Sequence, residues 1–320
     1  MREIKLSINP IYKCNFRCNF CYLTEDQLSS SNCLDLKELQ KLLNEVSQYR
    51  KITEIDLYGG EIALLSSEYL YNLSEIIYHH YQGDINIITN FSKANSFFNE
   101  PFVNLSVSYD HDSRQSHERV LQNIISSNKE ISILMLASSE MIQWSGEKLQ
   151  SVITILSQIN NIKSVEIKPY STNQSNQQKV SFLDFENFVK RWLYHSQSFN
   201  FEFINLKKIH QALEKESSSW SDDHVYITPD SKFGILDFDS DNNEEFRELS
   251  SFNEYLKWCE EEKRKVMNNN FCSKCRYLGN CLSEHLQEVK SLESSCNGFI
   301  NLLDDYAKRP QIETNSFSFN

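Results

Sequence analysis

Along the first half of the chain, short runs in which β-branched residues alternate with polar ones are separated by longer stretches with an apolar residue every three or four positions. The alternating runs predict strands at residues 5–9, 54–58, 85–89, 104–109, 131–136 and 164–168. The longer stretches predict helices at 35–48, 67–79, 116–126, 147–158 and 182–194. In the first of these, Leu36, Leu39, Leu42, Leu43 and Val46 form one face. The helix after the third strand has the weakest pattern. Strand and helix in alternation predict an α/β fold with a parallel sheet and covering helices. Six such units suit an open partial barrel or a doubly wound sheet, and the pattern leaves both open.

Past the polar loop at 171–178 (STNQSNQQ) and the helix after it, the pattern changes. Runs at 224–228 and 232–238 flank Pro229-Asp230-Ser231, a hairpin signal, and are followed by a charged helix at 250–267 and a cysteine-rich segment. This divides the chain into a large unit over 1–215 and a small module over 216–308. The tail at 309–320 is polar, lacks periodicity and is expected to fray.

Composition narrows the function classes. At 320 residues, 40% hydrophobic and 24% charged, the chain is an ordinary folded body. The 32 Lys and Arg against 44 Asp and Glu give a net charge of -12, with no basic cluster, so no nucleic-acid partner is expected. The opening MREIKLSINP lacks an apolar signal region, and the most apolar run, 131–137, is far shorter than the ~20 residues that span a bilayer. No membrane partner and a cytoplasmic location are expected.

The nine cysteines fall in two groups, Cys14, Cys18, Cys21 and Cys33 near the start and Cys259, Cys272, Cys275, Cys281 and Cys296 near the end. An odd number so placed reads as two metal sites rather than a disulfide scaffold. Cys14, Cys18 and Cys21 form C-x3-C-x2-C just after the first strand. Three thiolates on one loop can hold three irons of a [4Fe-4S] cluster and leave the fourth open. Structural zinc asks for four ligands, and this loop supplies three.

This spacing, with the aromatic Phe20 ahead of the third cysteine, resembles the signature of the radical S-adenosylmethionine (SAM) superfamily. The resemblance implies a partial (β/α)6 barrel and a [4Fe-4S] cluster whose open iron binds SAM. It also implies an external one-electron reductant and cleavage of SAM to methionine and a 5'-deoxyadenosyl radical.

Gly59-Gly60-Glu61 follows the second strand and holds two of the seven glycines of the chain. Adjacent glycines permit close backbone approach, and they also make ordinary turns. By resemblance to the family's GGE motif, Gly59, Gly60 and Glu61 bind the amino group of SAM. Ser108, at the end of the fourth strand, resembles the polar strand end near the SAM carboxylate and ribose, and is preferred to Ser106 because it lies nearer the C-terminal rim. Asn90 and Lys168, with Tyr170, are further rim candidates, and His111, His117 and Arg119 are possible supports.

The C-terminal Cys272, Cys275 and Cys281, spaced C-x2-C-x5-C, and the distal Cys296 can hold zinc or a fully ligated cluster. Beside a radical SAM core they resemble the auxiliary-cluster module called SPASM, or Twitch in its shorter form. The resemblance implies a small C-terminal α+β module with an auxiliary [4Fe-4S] cluster. The family's hairpin usually reads proline-aspartate-glycine with a cysteine five residues past the glycine. Here Ser231 and Leu236 stand at those places, His285 stands four after Cys281, and 215–221 (KESSSWS) has no thiol. One auxiliary cluster, on Cys272, Cys275, Cys281 and Cys296, is expected. Cys33 and Cys259 are expected to be small buried hydrophobes.

The opening SINPIYKCNFRCNFCYLT, the GGE and the reduced C-terminal module together resemble peptide maturases that form three-residue cyclophanes, the triceptide (XYE-type) group. The resemblance implies a ribosomally made precursor peptide as substrate and a bond from an aromatic ring carbon to the β-carbon of a residue two positions later. A peptide epimerase and thioether formation are the alternatives. An epimerase needs a thiol donor at the site, for which only Cys33 and Cys259 remain. With the first strand at the start of the sequence, no winged leader-binding domain is expected, and the hairpin is the expected dock for an extended peptide. Asp110, Asp237 and Asp239 are candidate bases, none of them assigned.

Overall fold

The structure, a computed structural model, describes residues 2–111, 114–169, 180–236, 246–283, 296 and 298–308. In chain order its elements are β1 (Arg2–Ile8), α1 (Glu25–Ser29), α2 (Leu36–Tyr49), β2 (Arg50–Leu57), α3 (Ser67–Tyr78), β3 (Ile85–Thr89), β4 (Val103–Ser108) and α4 (His117–Ser126). Next come β5 (Ile131–Leu136), α5 (Ser139–Ile142), α6 (Gly146–Ser157), β6 (Ile162–Lys168), α7 (Phe182–Tyr194), β7 (Glu202–Phe203) and α8 (Ile204–Glu214). The chain continues through β8 (His224–Ile227), β9 (Phe233–Leu236), β10 (Phe246–Leu249), α9 (Phe252–Asn268) and α10 (Ile300–Ala307).

All ten strands share one sheet in the order β10-β9-β8-β1-β2-β3-β4-β5-β6-β7. From β1 to β7 each strand is parallel to its predecessor. That order decides between the two architectures left open by sequence. A doubly wound sheet reverses its strand order part-way, whereas consecutive order keeps the connections turning one way around a curling sheet. The result is a partial (β/α)6 barrel, lengthened by the short β7.

Strand alternation sets the two faces of the sheet. Ile4, Leu6, Ile55, Leu57, Ile85, Ile87, Val103, Val107, Ile131, Ile133 and Val165 are fully buried on the helix side. The intervening Lys5, Ser7, Glu54, Asp56, Ser106, Ser108, Glu166 and Lys168 face the concave side and are polar. A dry layer under the helices and a polar lumen therefore follow from a period of two. The helices start where the chain offers caps: Asp35 accepts from the N–H groups of Lys37 and Glu38 at 2.8 and 3.1 Å, and Ser66, Ser145, Ser181 and Ser251 cap α3, α6, α7 and α9.

Most predicted elements are present, several with shifted ends. In place of a helix after the third strand there is a single 3-10 turn, Ser96–Asn99. The predicted C-terminal module is continuous with the barrel, because β8 pairs parallel with β1 from Lys5↔His224 to Ile8↔Ile227. The hairpin forms at the predicted turn, with Ser231 N–H donating to Thr228 O at 3.0 Å and Ser231 at a φ of +61°. The predicted loop at 171–178, the end of the second hairpin run and the tail at 309–320 lie outside the described residues. No helix among the described residues is long and apolar enough to cross a membrane.

Candidate functional site

The three thiols Cys14, Cys18 and Cys21 lie on the loop between β1 and α1, at the C-terminal rim of the barrel. Several bonds fix this loop. Cys14 N–H donates to Leu28 O at 3.1 Å, and Cys21 N–H to Cys18 O at 3.0 Å. Arg17 donates through Nη1 to the carbonyls of Cys14 and Phe16 at 2.8 and 2.9 Å, and through Nε to Glu25 at 2.8 Å. Phe16, 4% exposed, anchors the loop in the core.

The sulfurs themselves are met by donors. Phe16 N–H lies 3.4 Å from Cys14 Sγ, Asn90 Nδ2 3.8 Å from the same sulfur, and Arg114 Nη1 4.0 Å from Cys18 Sγ. Burial pushes both thiols up, while Arg114 and the N–H donors pull the other way by favouring thiolate. This donor set fits thiolates that carry iron. Arg114 also stands 4.9 Å over the ring of Phe20. It is held by a fully buried Asp110, whose Oδ2 accepts from Nε and Nη2 at 2.7 and 2.6 Å and whose Oδ1 accepts from Leu136 N–H at 2.5 Å. Both Asp110 oxygens are thus occupied, and this carboxylate is an anchor rather than a base.

Gly59-Gly60-Glu61 packs directly against the segment leading into the cysteine loop. Gly60 N–H donates to Ile11 O and Glu61 N–H to Lys13 O, both at 2.8 Å. Gly59 has a φ of +139°, and a Cβ there would stand 2.6 Å from Ile11 O; one at Gly60 would collide with the carbonyls of Tyr12 and Lys13. The close approach that these glycines permit is to the chain's own backbone.

Glu61 is fully buried and accepts from Ala63 N–H at 2.9 Å, Thr89 Oγ1 at 2.5 Å and Asn90 N–H at 2.7 Å. Burial raises its pKa, and these donors oppose the rise. Asn90 in turn reaches Asn15 Oδ1 at 3.0 Å, so strands β2 and β3 and the cysteine loop form one hydrogen-bonded unit. Glu61, Asn90 and the loop cysteines are therefore brought together at one end of the barrel.

The other rim candidates are more dispersed. Ser108 ends β4 on the lumen face, half-buried, in register with Leu134. Lys168 ends β6 on the same face, 3.4 Å from Glu166. His111 and His117, stacked at 5.8 Å, line with Arg119 an open cleft of about 540 Å³ beside α4. Tyr170, Asp237, Asp239 and His285 lie outside the described residues.

The second thiol group follows α9. Asn269 Oδ1 accepts from the N–H groups of Phe271 and Cys272 at 2.9 and 3.0 Å, and Cys275 N–H donates to Cys272 O at 2.9 Å, which turns the chain back on itself. Cys281 and Cys296 flank Gly298, where a Cβ would stand 2.8 and 3.7 Å from their sulfurs. The four thiols are close enough to act on one another: the Cys272 thiol is pushed up to about 11 by burial and by Cys296, Cys281 and Cys275. The thiol-free stretch ahead of β8 packs here, with Ser219 N–H on Gly279 O at 3.1 Å. Among the described residues no three His, Cys, Asp or Glu side chains converge as a single-ion site.

Cys33 is exposed, not buried as expected, although its backbone bridges the buried Ile11. Cys259 is buried, and its thiol is pushed up to about 12 by desolvation.

No protein-family model and no curated protein matches this chain. Solved structures do. SuiB from Streptococcus suis, bound to S-adenosylmethionine, superposes with a TM-score of 0.63 at 15% identity, over 88% of this chain and 72% of that one. The enzyme anSMEcpe with bound S-adenosylmethionine superposes at 0.65 and 15%, over 95% and 96%. The fold is shared with these two S-adenosylmethionine-bound proteins. In it, the cysteine loop, the GGE turn and the ends of β3 and β4 occupy the rim where parallel strands end, the customary place for ligands of such sheets. The superposition with anSMEcpe spans nearly the whole of both chains, so it takes in the C-terminal strands as well as the barrel.

Proposed function

We propose that this chain is a radical SAM enzyme that modifies a precursor peptide by joining an aromatic ring carbon to the β-carbon of a residue two positions later, a cyclophane. The observation that carries the reading is the hydrogen-bonded unit of the Cys14-Cys18-Cys21 loop, Gly59-Gly60-Glu61 and Asn90, set at the rim of a barrel with a polar lumen. When bound, a [4Fe-4S] cluster on the loop and SAM supply a 5'-deoxyadenosyl radical, fed by an external one-electron reductant, that removes hydrogen from a substrate carbon.

In this reading Cys14, Cys18 and Cys21 hold the cluster, with Arg114 offsetting thiolate charge beside Cys18. Phe20, Gly59, Gly60, Glu61, Asn90, Ser108 and Lys168 form the SAM site. The turn is positioned by Gly60 N–H on Ile11 O and Glu61 N–H on Lys13 O, and the Glu61 carboxylate holds β2 and β3 at fixed spacing. Cys272, Cys275, Cys281 and Cys296 hold one auxiliary [4Fe-4S] cluster, the acceptor for the electron that an oxidative cross-link releases. Their mutual influence on Cys272 supports a shared site. Zinc would require four ligand atoms at about 2.1–2.3 Å from one ion, whereas a cluster places its cysteines on separate irons.

Peptide substrates find support in the solved complexes of this fold: SuiB has been solved with its precursor peptide SuiA, and anSMEcpe with a peptide. Sheet edge β10, which pairs only with β9 among the described residues, fits strand addition of an extended peptide. The epimerase reading is disfavoured because Cys33 is exposed at the Ile11 bridge and Cys259 is buried on the inner face of α9.

The test is anaerobic reconstitution with SAM, a reductant and synthetic peptides in which Trp, Tyr or Phe is followed two positions later by each other amino acid. Loss of two hydrogens from the peptide supports the cross-link. A mass unchanged in ordinary water and one unit higher after reaction in heavy water, with the deuterium at one α-carbon, supports epimerisation instead.

A further inference from the structure

We propose that Asp56 is the proton acceptor of the barrel lumen, taking the proton that the peptide's aromatic ring loses when the cross-link forms. The proposal rests on the function proposed above. Strand β2 turns Ile55 and Leu57, both fully buried, toward the helices, so Glu54 and Asp56 face the concave side. Asp56 is the penultimate residue of β2 and lies three residues before Gly59, so it stands just below the rim. A peptide held in the lumen beneath the rim would meet this level of the barrel.

The surroundings leave Asp56 one free oxygen. Its Oδ1 accepts from Asn86 Nδ2 at 2.9 Å, and among the described residues Oδ2 has no hydrogen bond. The cations nearby are paired with other carboxylates and favour the Asp56 charge only from a distance: Lys5 on β1 pairs with Glu54 at 2.8 Å, and Lys168, facing Asp56 across the lumen from β6, lies 3.4 Å from Glu166. Glu54 on the same strand repels the charge, Asp223 and His224 lie beyond Lys5 and Ser7 on the β8 side, and Tyr81 stands ahead of β3. Burial and Glu54 push the Asp56 carboxyl up to about 6, so at neutral pH it is ionised yet more basic than an ordinary carboxylate. Asp110, by contrast, spends both oxygens on Arg114 and Leu136. The pattern was legible in the sequence: Glu54-Ile-Asp56-Leu57 alternates immediately ahead of Gly59-Gly60-Glu61.

The β-carbon gives one hydrogen atom to the 5'-deoxyadenosyl radical, and the resulting carbon radical bonds to the ring. The ring then gives up one electron to an iron–sulfur acceptor and one proton to Asp56, which restores aromaticity.

Two measurements on the full chain decide the proposal. In the reconstituted holoenzyme with the synthetic peptides above, Asp56→Asn should lower the ratio of cross-linked product to 5'-deoxyadenosine at least about 100-fold. Asp56→Glu should restore part of it, with the acid limb of the product-rate profile moved. An unchanged ratio in Asp56→Asn, or product and 5'-deoxyadenosine falling together with the same pH profile, would overturn the assignment. Separately, the infrared difference between parent and Asp56→Asn should show one carboxyl titrating near 6, and the peptide cross-linked by the parent should move that midpoint. A midpoint that this peptide leaves in place overturns contact with Asp56. If the parent releases 5'-deoxyadenosine but makes no cross-link, the reaction proposed above fails, and the same titration, run with the peptide set, still decides whether Asp56 faces bound peptide.

Discussion

The backbone N–H of Asn90 donates to the Glu61 carboxylate at 2.7 Å, which ties the end of β3 to the turn after β2. Because Asn90 also touches Cys14 and Asn15, this bond carries the position of the GGE turn into the cysteine loop.

Glu61→Ala should therefore damage both stability and iron loading. It strands the N–H groups of Ala63 and Asn90 in a buried place, at a cost of roughly 2–4 kcal/mol. Glu61→Gln keeps one carbonyl acceptor but turns an amide toward one of the donors, and should fall between. Urea unfolding of the three proteins, with iron counts on each, checks the order parent, Gln, Ala.

Arg114 and Asp110 form a buried pair in which neither charge tolerates loss of the other. Arg114→Met should destabilise by about 3–5 kcal/mol, because Asp110 keeps its burial and loses its cation. Adding Asp110→Asn should recover part of the loss. A double-mutant cycle by urea denaturation reads the coupling, and simple additivity would show that the pair acts independently.

The hairpin turn holds Ser231 at a φ of +61°, a conformation that costs a side-chain-bearing residue about 1–2 kcal/mol. Glycine relieves that strain but loses roughly 0.5–1 kcal/mol in chain entropy. Ser231→Gly should thus raise stability by up to about 1 kcal/mol, seen as a higher urea midpoint with an unchanged slope.

The C-terminal thiols predict a count. The anaerobically reconstituted parent should hold about eight irons and the Cys272→Ala, Cys275→Ala, Cys281→Ala triple variant about four. Four irons in both proteins, with zinc in the parent alone, would make the second site structural and remove the proposed electron acceptor.

What the sequence disclosed depended on how strongly each segment was patterned. Ile85–Thr89 and Ile131–Leu136 are found at their predicted bounds because buried and half-buried residues alternate along their whole length. The first residues of β2, Arg50 to Thr53, extend the strand through a stretch with one apolar residue, Ile52, too few to give an alternating signal. Helix α8 begins at Ile204 straight from the short β7 with no side-chain cap, so no start signal marks it. Helix α1 does carry one, the Thr24 to Gln27 capping box, which was overlooked beside the cysteines.

The site shows the same division. Cysteine spacing and the paired glycines are local and could be read directly. That Glu61 turns inward to bind β3, that Arg114 stands over Phe20, and that Asp56 Oδ2 has no hydrogen bond among the described residues depend on how segments distant in sequence meet.

The central claim is that Cys14, Cys18 and Cys21 support reductive cleavage of SAM. The most direct measurement is release of 5'-deoxyadenosine by the reconstituted protein given SAM and a one-electron reductant without oxygen, beside the Cys18→Ala variant. The account predicts release by the parent and none by the variant. A parent with a filled cluster that releases no 5'-deoxyadenosine, or a Cys18→Ala variant that matches it, would contradict the account.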